Sequence, residues 1–327
     1  RKMSKPLGNG IVPSEIVEKY GADILRLWVA SSDYHADIRI SHEILKQLSD
    51  AYRKIRNTAR FILGNLYDFD PNKDLVSPDN MEPIDRWALH RFNGLIEQVK
   101  KGYESYEFHE AYHAIHNFCV VDMSNFYLDV LKDRLYVEKA DSATRRAAQS
   151  AMYLILDGMT RLVSPILAFT SDEIWRSMKH RSEENAEHVL YNDMPEPIDV
   201  NADDEFVARW DKIHQIREDV KKALEIARKD DVIHASLDAK VTLYCSSDLY
   251  PFVKSVEQVL PAVLIVSQLE VLEGGEGTFK GEELPGLSVS VAHADGEKCS
   301  RCWSYSHTVG SDPEHPDICA RCAAVLK

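Results

Sequence analysis

Near its end the chain carries two Cys-x-x-Cys pairs, CSRC and CARC, with sixteen residues between them. The pairs supply Cys299, Cys302, Cys319 and Cys322 at a spacing typical of a four-thiolate zinc site. Each pair forms a tight turn, a knuckle, that directs two thiolates at one centre, and two knuckles complete a tetrahedron. Since sulfur fills all four positions, no place is left for a catalytic water. The motif predicts one structural Zn²⁺ that supplies folding energy to a segment too short for its own core.

Other interpretations of these cysteines stay open at this level. Two disulfides need an oxidising compartment, whereas Cys119 and Cys245 stand in the apolar stretches HNFCVVDM and VTLYCSS, as buried unpaired thiols do. A redox dithiol normally lies beside a βαβ pattern. Iron accepts the same four ligands as zinc. No apolar run reaches the roughly 18 residues of a membrane span and no secretory segment is present. We therefore expect a cytoplasmic protein without membrane contact.

Helical periodicity covers most of the chain before the cysteines. It predicts helices over residues 12–32 (bent or restarted at Gly21), 43–66, 84–101, 108–136 and about 148–162. The 108–136 helix carries an apolar stripe: Ile115, Cys119, Met123, Phe126 and Val130. In FTSDEIW, Thr170 as N-cap with Glu173 three residues on predicts one more helix through a capping box. Successive long amphipathic helices predict an up-and-down bundle.

The pattern changes after residues 181–206, an acidic stretch with Pro195 and Pro197 that predicts a domain boundary. One more helix runs to about Lys229. Beyond it, KVTLYC, AVLIVSQLEVL and LSVSVAHA predict short strands around a helix near residues 251–260. The predicted fold class is mainly α: a helix bundle, then a small α/β domain, then a zinc ribbon.

Charge limits how the chain meets a polyanion. With 39 basic and 53 acidic residues its net charge is −14, so phosphates must be bound by local basic patches. Arg53, Lys54, Arg56 and Arg60 lie in residues 51–66, which contain no acidic residue. This face follows a phosphate backbone, or it is solvated and paired with carboxylates of other helices; the sequence leaves both open.

A second candidate surface lies between the two knuckles. Trp303, close to Arg301 and Arg321, is suited to stacking on an unpaired base, or it fills the small core of the ribbon. The cluster of Lys132, Asp133 and Arg134 in the bundle contacts RNA or is structural; we favour the structural role, because adjacent opposite charges can neutralise one another.

The chain opens RKMSKPLGNG, by itself an exposed basic turn. Lys2, Met3, Ser4 and Lys5 match the Lys-Met-Ser-Lys-Ser loop of the class I aminoacyl-tRNA synthetases, which this sequence resembles; Pro6 departs from the family serine and removes a hydroxyl and a backbone N–H. The continuation through DIRIS, the motifs DMSNFYLDVLKDRLY and PILAFTSDEIW, and the four cysteines resemble the isoleucine-specific branch.

The resemblance implies a two-step reaction: the carboxylate of isoleucine attacks the α-phosphorus of ATP and releases pyrophosphate, and the aminoacyl group then passes from the adenylate to the 3'-terminal ribose of tRNA, which releases AMP. It makes Lys5 the principal phosphate contact and Lys2 a supporting one, both catalytic through the charge that develops on the phosphates. ATP and Mg²⁺ belong to the full-length enzyme. Because a His-x-Gly-His motif and an editing region are absent from this sequence, we expect a C-terminal portion that is inactive alone.

The implied domains are an edge of the catalytic domain (1–45), a helical anticodon-binding domain (46–198), an α/β junction domain (199–295) and a zinc module (296–327). The implied partner is isoleucine tRNA, with ATP and isoleucine bound only together with the catalytic half, and a monomer is expected. Candidate tRNA contacts are Arg53, Arg56, Arg60 and Trp303. The alternative hypothesis is a self-standing helical adaptor whose zinc ribbon binds protein partners.

Overall fold

The computed structural model describes residues 10–327, which form two compact units. The first, helical unit runs to Asp129 and resumes over Ala140–Asn201. The second unit combines Val130–Lys139 with Ala202–Lys327. Lys2 and Lys5 lie outside the described residues, so their predicted roles stay predictions. The division into four domains likewise stays a prediction.

Nine α-helices occur among the described residues up to 201. They are α1 (Pro13–Tyr20), α2 (Ala22–Ser31), α3 (His42–Asn65), α4 (Pro83–Glu104), α5 (Phe108–Asn117), α6 (Leu128–Val130), α7 (Lys132–Val137), α8 (Ala143–Val163) and α9 (Ala168–Arg176). α4 packs against α5 and α8, and α2 against α3 and α5. Of the bend or restart predicted at Gly21, the structure has the restart: its φ of +91° separates α1 from α2. Among helices of residues 10–327, none has the length and hydropathy of a transmembrane span.

The stretch predicted as one helix over residues 108–136 is not a single α-helix. After α5 the chain forms a π-helical segment, Phe118–Tyr127, and only then α6 and α7. Cys119 and Met123 in it are fully buried, so the predicted burial is correct although the helix type is wrong. Apolar residues spaced by four also suit the wider turn of a π-helix, so periodicity did not separate the two. Such π segments occur frequently at functional sites.

The predicted capping box of α9 is wrong. Thr170 is the third residue of α9 and its side chain caps nothing. Instead the carboxylate of Asp23, from α2, accepts hydrogen bonds from the backbone N–H groups of Phe169 (3.3 Å) and Thr170 (2.7 Å). The Thr170 hydroxyl donates to the same carboxylate. A negative group at a helix N-terminus satisfies donors that lack intrahelical partners; here it comes from a distant helix.

The second unit is built on a four-stranded sheet with helices beside it. Its further elements are α10 (Asp204–Lys229), β1 (Ala239–Cys245), α11 (Tyr250–Val256), α12 (Leu260–Leu264), β2 (Gln268–Glu273), β3 (Phe279–Lys280), β4 (Leu287–His293), β5 (Glu297–Lys298), β6 (Tyr305–Ser306) and α13 (Ala320–Leu326). The sheet order is β2-β1-β4-β3, with β1 parallel to β2 and antiparallel to β4. α10 packs against β4. The mainly helical fold with a small sheet and a four-cysteine module is the predicted one.

One predicted strand begins too early. Of AVLIVSQLEVL, the first residues belong to α12, which ends at Leu264; its C-cap residue Ile265 lies in the left-handed region with φ of +57°. β2 starts only at Gln268. Short apolar runs are buried equally well as helix or strand, and the sequence pattern does not distinguish the two.

Candidate metal centre and nucleic-acid interface

The four cysteines of the two knuckles meet at one point. Their sulfur atoms lie within 4.8 Å of one another, and Cys302 Sγ is 3.9 Å from Cys319 Sγ. A tetrahedron with metal–sulfur bonds of about 2.3 Å has edges of about 3.8 Å. All four cysteines are free thiols and at most 9% exposed. This geometry fits Zn²⁺ and contradicts two disulfides.

The first knuckle lies between the two short strands of a hairpin. β5 and β6 pair antiparallel around it, and Gly296, with φ of +91°, makes the approach of the strands possible. A Cβ atom at Gly296 would come within 2.5 Å of the Ser306 carbonyl carbon. Inside the knuckle, the N–H of Trp303 donates to the carbonyl of Cys299 at 2.9 Å. The second knuckle runs directly into α13, of which Cys319 is the N-cap residue.

The surroundings shift the pKa values of the cysteine thiols in different directions. Burial opposes ionisation of Cys299, but the backbone N–H groups of Cys302, Cys319 and Arg301 outweigh it and lower the pKa of that thiol to about 6. Burial, followed by the neighbouring sulfurs, raises the pKa of Cys322. A set of four thiolates therefore requires a bound cation that compensates their charge, as Zn²⁺ does. The predicted structural zinc site is supported.

The third residue of each knuckle is an arginine, and both contact α7. Arg321 donates from its two terminal nitrogens to both oxygens of Asp133, each at 2.7 Å. Arg301 donates to the carbonyl of Val137 at 3.0 Å. The side chain of Val137 is 4% exposed and packs among the cysteines. The Asp133 carboxylate is thus bound by Arg321, rather than only neutralised by adjacent charges as predicted.

Trp303 does not fill the core of the zinc module. Its side chain is 64% exposed, whereas Val137, Ile318 and Ala323 pack with the cysteines. Its φ of +65° is in the left-handed region, which non-glycine residues adopt at some cost. The interpretation as a core plug is therefore wrong, and the indole is accessible.

The basic residues of α3 lie on an exposed face, but carboxylates lie near two of them. Arg53 pairs with Asp50 on its own helix. Arg56 lies 3.7 Å from the carboxylate of Glu173 on α9. Arg56 and Arg60 also line an open cleft of about 320 Å³. The structure thus brings Arg56 and Arg60 together and gives Arg56 an acidic neighbour that the sequence window lacked.

A polar cleft that the sequence patterns did not predict lies between α4 and the junction of α5 with the π segment. Its volume is about 550 Å³. Its polar lining consists of Arg91, Gln98, His113, His116, Asn117 and Asp122. These residues occupy the sides of α4 and α5 away from the apolar stripe. The sequence signal for this cleft was the helical spacing of these polar residues on the side opposite that stripe.

Charge in this cleft is partly neutralised. Arg91 donates from Nε to the carboxylate of Asp122 at 3.1 Å. Burial raises the pKa of Asp122, and Arg91 acts against that rise. Burial, followed by the nearby charges of His113 and Lys54, lowers the pKa of His116. The cleft therefore offers carboxylate, amide and imidazole groups side by side, a set suited to hydrogen bonding with base edges rather than to binding of phosphate alone.

Three families match parts of this chain. The family described as "Anticodon-binding domain of tRNA ligase" matches residues 85–243. The family "tRNA synthetases class I (I, L, M and V)" matches residues 1–41. The family "Zinc finger found in FPG and IleRS" matches residues 296–325. The cleft lies within the first match, whereas Arg53, Arg56 and Arg60 precede it.

Curated relatives match over the full length of the chain. The isoleucine–tRNA ligase of Caldanaerobacter subterraneus subsp. tengcongensis is 51% identical over 331 residues, which is 100% of this chain and 35% of that protein. The isoleucine–tRNA ligase of Syntrophotalea carbinolica is 51% identical over 327 residues, with the same coverage. The chain thus spans about a third of the length of these relatives. A solved LeuRS-tRNA-LeuAMS complex of Agrobacterium radiobacter K84 overlaps 84% of this chain and 31% of its own at 17% identity, with a TM-score of 0.46.

Proposed function

The chain belongs to the isoleucine–tRNA ligases of class I, and from this premise we propose that it is the part that recognises isoleucine tRNA and carries the structural zinc site. The complete ligase activates isoleucine with ATP and Mg²⁺ and transfers it to that tRNA, and the chain acts as a monomer. The observation that carries the proposal is the joint match of residues 85–243 to an anticodon-binding domain and of the whole chain to isoleucine–tRNA ligases.

Recognition of unpaired anticodon bases takes place in the polar cleft. Unpaired bases expose their Watson–Crick edges, which side-chain amides and carboxylates read by hydrogen bonds. Gln98 and Asn117 offer both donors and acceptors there, and Asp122 keeps one oxygen beyond the one bound by Arg91. Recognition by such groups discriminates among bases, because a mismatched edge leaves a desolvated polar group without a partner.

Binding strength, as distinct from base recognition, comes from the cationic and aromatic surfaces. Arg56 and Arg60, with Arg53 beside them, contact phosphates along the tRNA backbone. Trp303 presents an accessible indole face on which a base stacks. In the complete enzyme Lys5 and Lys2 stabilise the charge that develops on the ATP phosphates. The chain alone does not activate isoleucine.

The first test exchanges the anticodon. The chain is expected to bind isoleucine tRNA about tenfold or more tightly than the same tRNA with another anticodon, since one lost base-edge contact costs roughly 1–3 kcal/mol. Fluorescence anisotropy titrations at fixed salt measure both affinities. Equal affinities contradict the proposed function.

Variants in the same titration assign the discrimination to the cleft. Gln98→Ala and Asn117→Ala are expected to reduce the preference for the correct anticodon. The matched control is Gln215→Ala on α10, an exposed glutamine away from the cleft. If the cleft variants keep the full preference, the anticodon is read elsewhere on the chain.

The second test concerns the basic face of α3. The double variant Arg56→Ala/Arg60→Ala is expected to lower the slope of log affinity against log salt by up to about two, roughly one for each lost phosphate contact. A control that removes the same charge from other exposed positions is Lys101→Ala/Lys229→Ala. An unchanged slope in the arginine variant means that this face is only solvated and paired with Glu173.

A further inference from the structure

α7 is held by both knuckles of the zinc module. It has only six residues, Lys132–Val137, and belongs to the second unit although residues of the first unit flank it in sequence. It is the end of a longer helical stretch, because Leu131 between α6 and α7 keeps helical backbone angles and its carbonyl accepts a hydrogen bond from the N–H of Leu135 at 2.9 Å. The last turns of such a stretch fray unless tertiary contacts hold them. The bidentate pair of Arg321 with Asp133 and the hydrogen bond of Arg301 to the Val137 carbonyl supply such contacts.

The two arginines contact one face of α7, a helical turn apart. Asp133 and Val137 are separated by four residues, so they lie above one another on the helix surface. One contact uses a side-chain carboxylate in the first turn. The other uses a main-chain carbonyl in the last turn, where carbonyl groups lack intrahelical partners. Docking therefore requires a fixed separation of Arg301 from Arg321.

The metal ligands set this separation. Arg301 directly precedes Cys302, and Arg321 lies between Cys319 and Cys322. The cysteines form no disulfide, and the direct links between the knuckles are weak ones: the N–H of Cys319 donates to Cys299 Sγ at 3.3 Å, and the N–H of Ser300 donates to the carbonyl of Asp317 at 3.0 Å. Ligation of a common ion therefore supplies the main connection at the sulfurs. A hydrogen bond from Ser300 to Asp317 assists this arrangement but does not involve the arginines. The side chain of Val137, buried among the cysteines, also depends on the closed cluster.

We propose that the zinc site is the docking site of α7: ligation of the metal places Arg301 and Arg321 where they bind Val137 and Asp133, so that metal loading and the ordering of residues 130–139 are thermodynamically coupled. Four thiolates around Zn²⁺ leave a net charge of −2, and the Arg321 guanidinium interacts with Cys302 as well as with Asp133. Arg321 and Asp133 are thus positioning residues of the metal centre. Coupling of this kind is reciprocal, so docking of α7 also retains the metal. This proposal is independent of tRNA binding.

Hydrogen exchange read by mass spectrometry tests the first direction. After removal of zinc with a chelator, amides of residues 130–139 are expected to lose protection together with those of the zinc module. Amides of α8, which follows α7 in sequence, serve as the internal control and are expected to keep theirs. Unchanged protection of residues 130–139 in the zinc-free chain overturns the proposal.

Zinc release tests the reverse direction. Asp133→Asn is expected to accelerate transfer of zinc to a colorimetric chelator by roughly tenfold, the lower end of the range for outer-shell substitutions. Arg321→Lys is expected to act similarly, because an ammonium keeps the charge but not the two parallel hydrogen bonds. The control is Asp141→Asn, which removes an equal charge from an exposed position before α8. Equal release rates for the Asp133 and Asp141 variants overturn the coupling.

A comparison without zinc separates coupling from a merely structural role. In the zinc-free chain Asp133→Asn is expected to leave the protection of residues 130–139 as in the unsubstituted chain, since α7 is already released. If the substitution lowers protection equally with and without zinc, Asp133 stabilises α7 without any link to the metal, and the proposal fails.

Discussion

Zinc removal, or Cys302→Ser, is expected to unfold residues 296–327 while most of the helical signal remains. The module has a small core made of its own ligands with Val137, Ile318 and Ala323. Zinc ligation contributes on the order of 10–16 kcal/mol in comparable modules, far more than such a core supplies. Limited proteolysis with circular dichroism measures the result: rapid cleavage within the tail, with little change at 222 nm.

Cys245→Ala is the matched control for this substitution. Cys245 lies in β1 of the same unit and is buried, but its sulfur is not part of the cluster. Its variant is expected to keep one zinc per chain and a protected tail, with only the modest loss that follows from a small cavity. If residues 296–327 resist proteolysis in the Cys302 variant as well as they do in the Cys245 variant, the structural role of the metal is contradicted.

Asp219→Ala is expected to destabilise the second unit by about 3 kcal/mol. Asp219, on α10, is fully buried, and its carboxylate accepts hydrogen bonds from the backbone N–H groups of Glu282 (2.8 Å), Glu283 (3.0 Å) and Leu284 (3.0 Å). Alanine leaves these donors without a partner, which costs about 1–3 kcal/mol for a buried group. Urea unfolding followed by tryptophan fluorescence measures the free energy of unfolding.

Two variants sharpen this prediction. Asp219→Asn keeps one accepting oxygen and is expected to lose roughly half as much stability. Asp211→Ala removes an exposed carboxylate from the same helix and is expected to change the free energy of unfolding by less than about 0.5 kcal/mol. Equal stabilities of the Asp219 and Asp211 variants mean that the loop around residues 282–284 does not depend on this carboxylate.

Local patterns were sufficient for the features that depend on neighbours in sequence. The spacing of the four cysteines predicted that their sulfur atoms converge and that they bind Zn²⁺. Both follow from the number of ligands and from the short loops that carry them. Helical periodicity predicted the bundle, and Gly21 predicted the break between α1 and α2. The same reasoning failed at α9 and α12. The capping-box pattern also occurs inside a helix, and a short apolar run is buried equally well as helix or strand.

Contacts between distant segments were beyond any local pattern. The cap of α9 is Asp23, the loop at residues 282–284 is held by Asp219, and the α7 docking site joins Asp133 to Arg321. Each pairs a charged group with a partner at least 60 residues away in sequence, on an element whose position the fold sets. The same holds for the polar cleft, whose residues become neighbours only when α4 packs on α5.

The sequence by itself therefore determined the zinc ligands, the helical character and the isoleucine–tRNA ligase resemblance, because each is written in residues that are close together or in motifs of fixed spacing. Only the tertiary structure decided that Trp303 is accessible, that Arg301 and Arg321 bind α7, and that Arg56 faces Glu173. The reason is physical: whether a charged or aromatic side chain is free for a ligand depends on what the fold packs beside it.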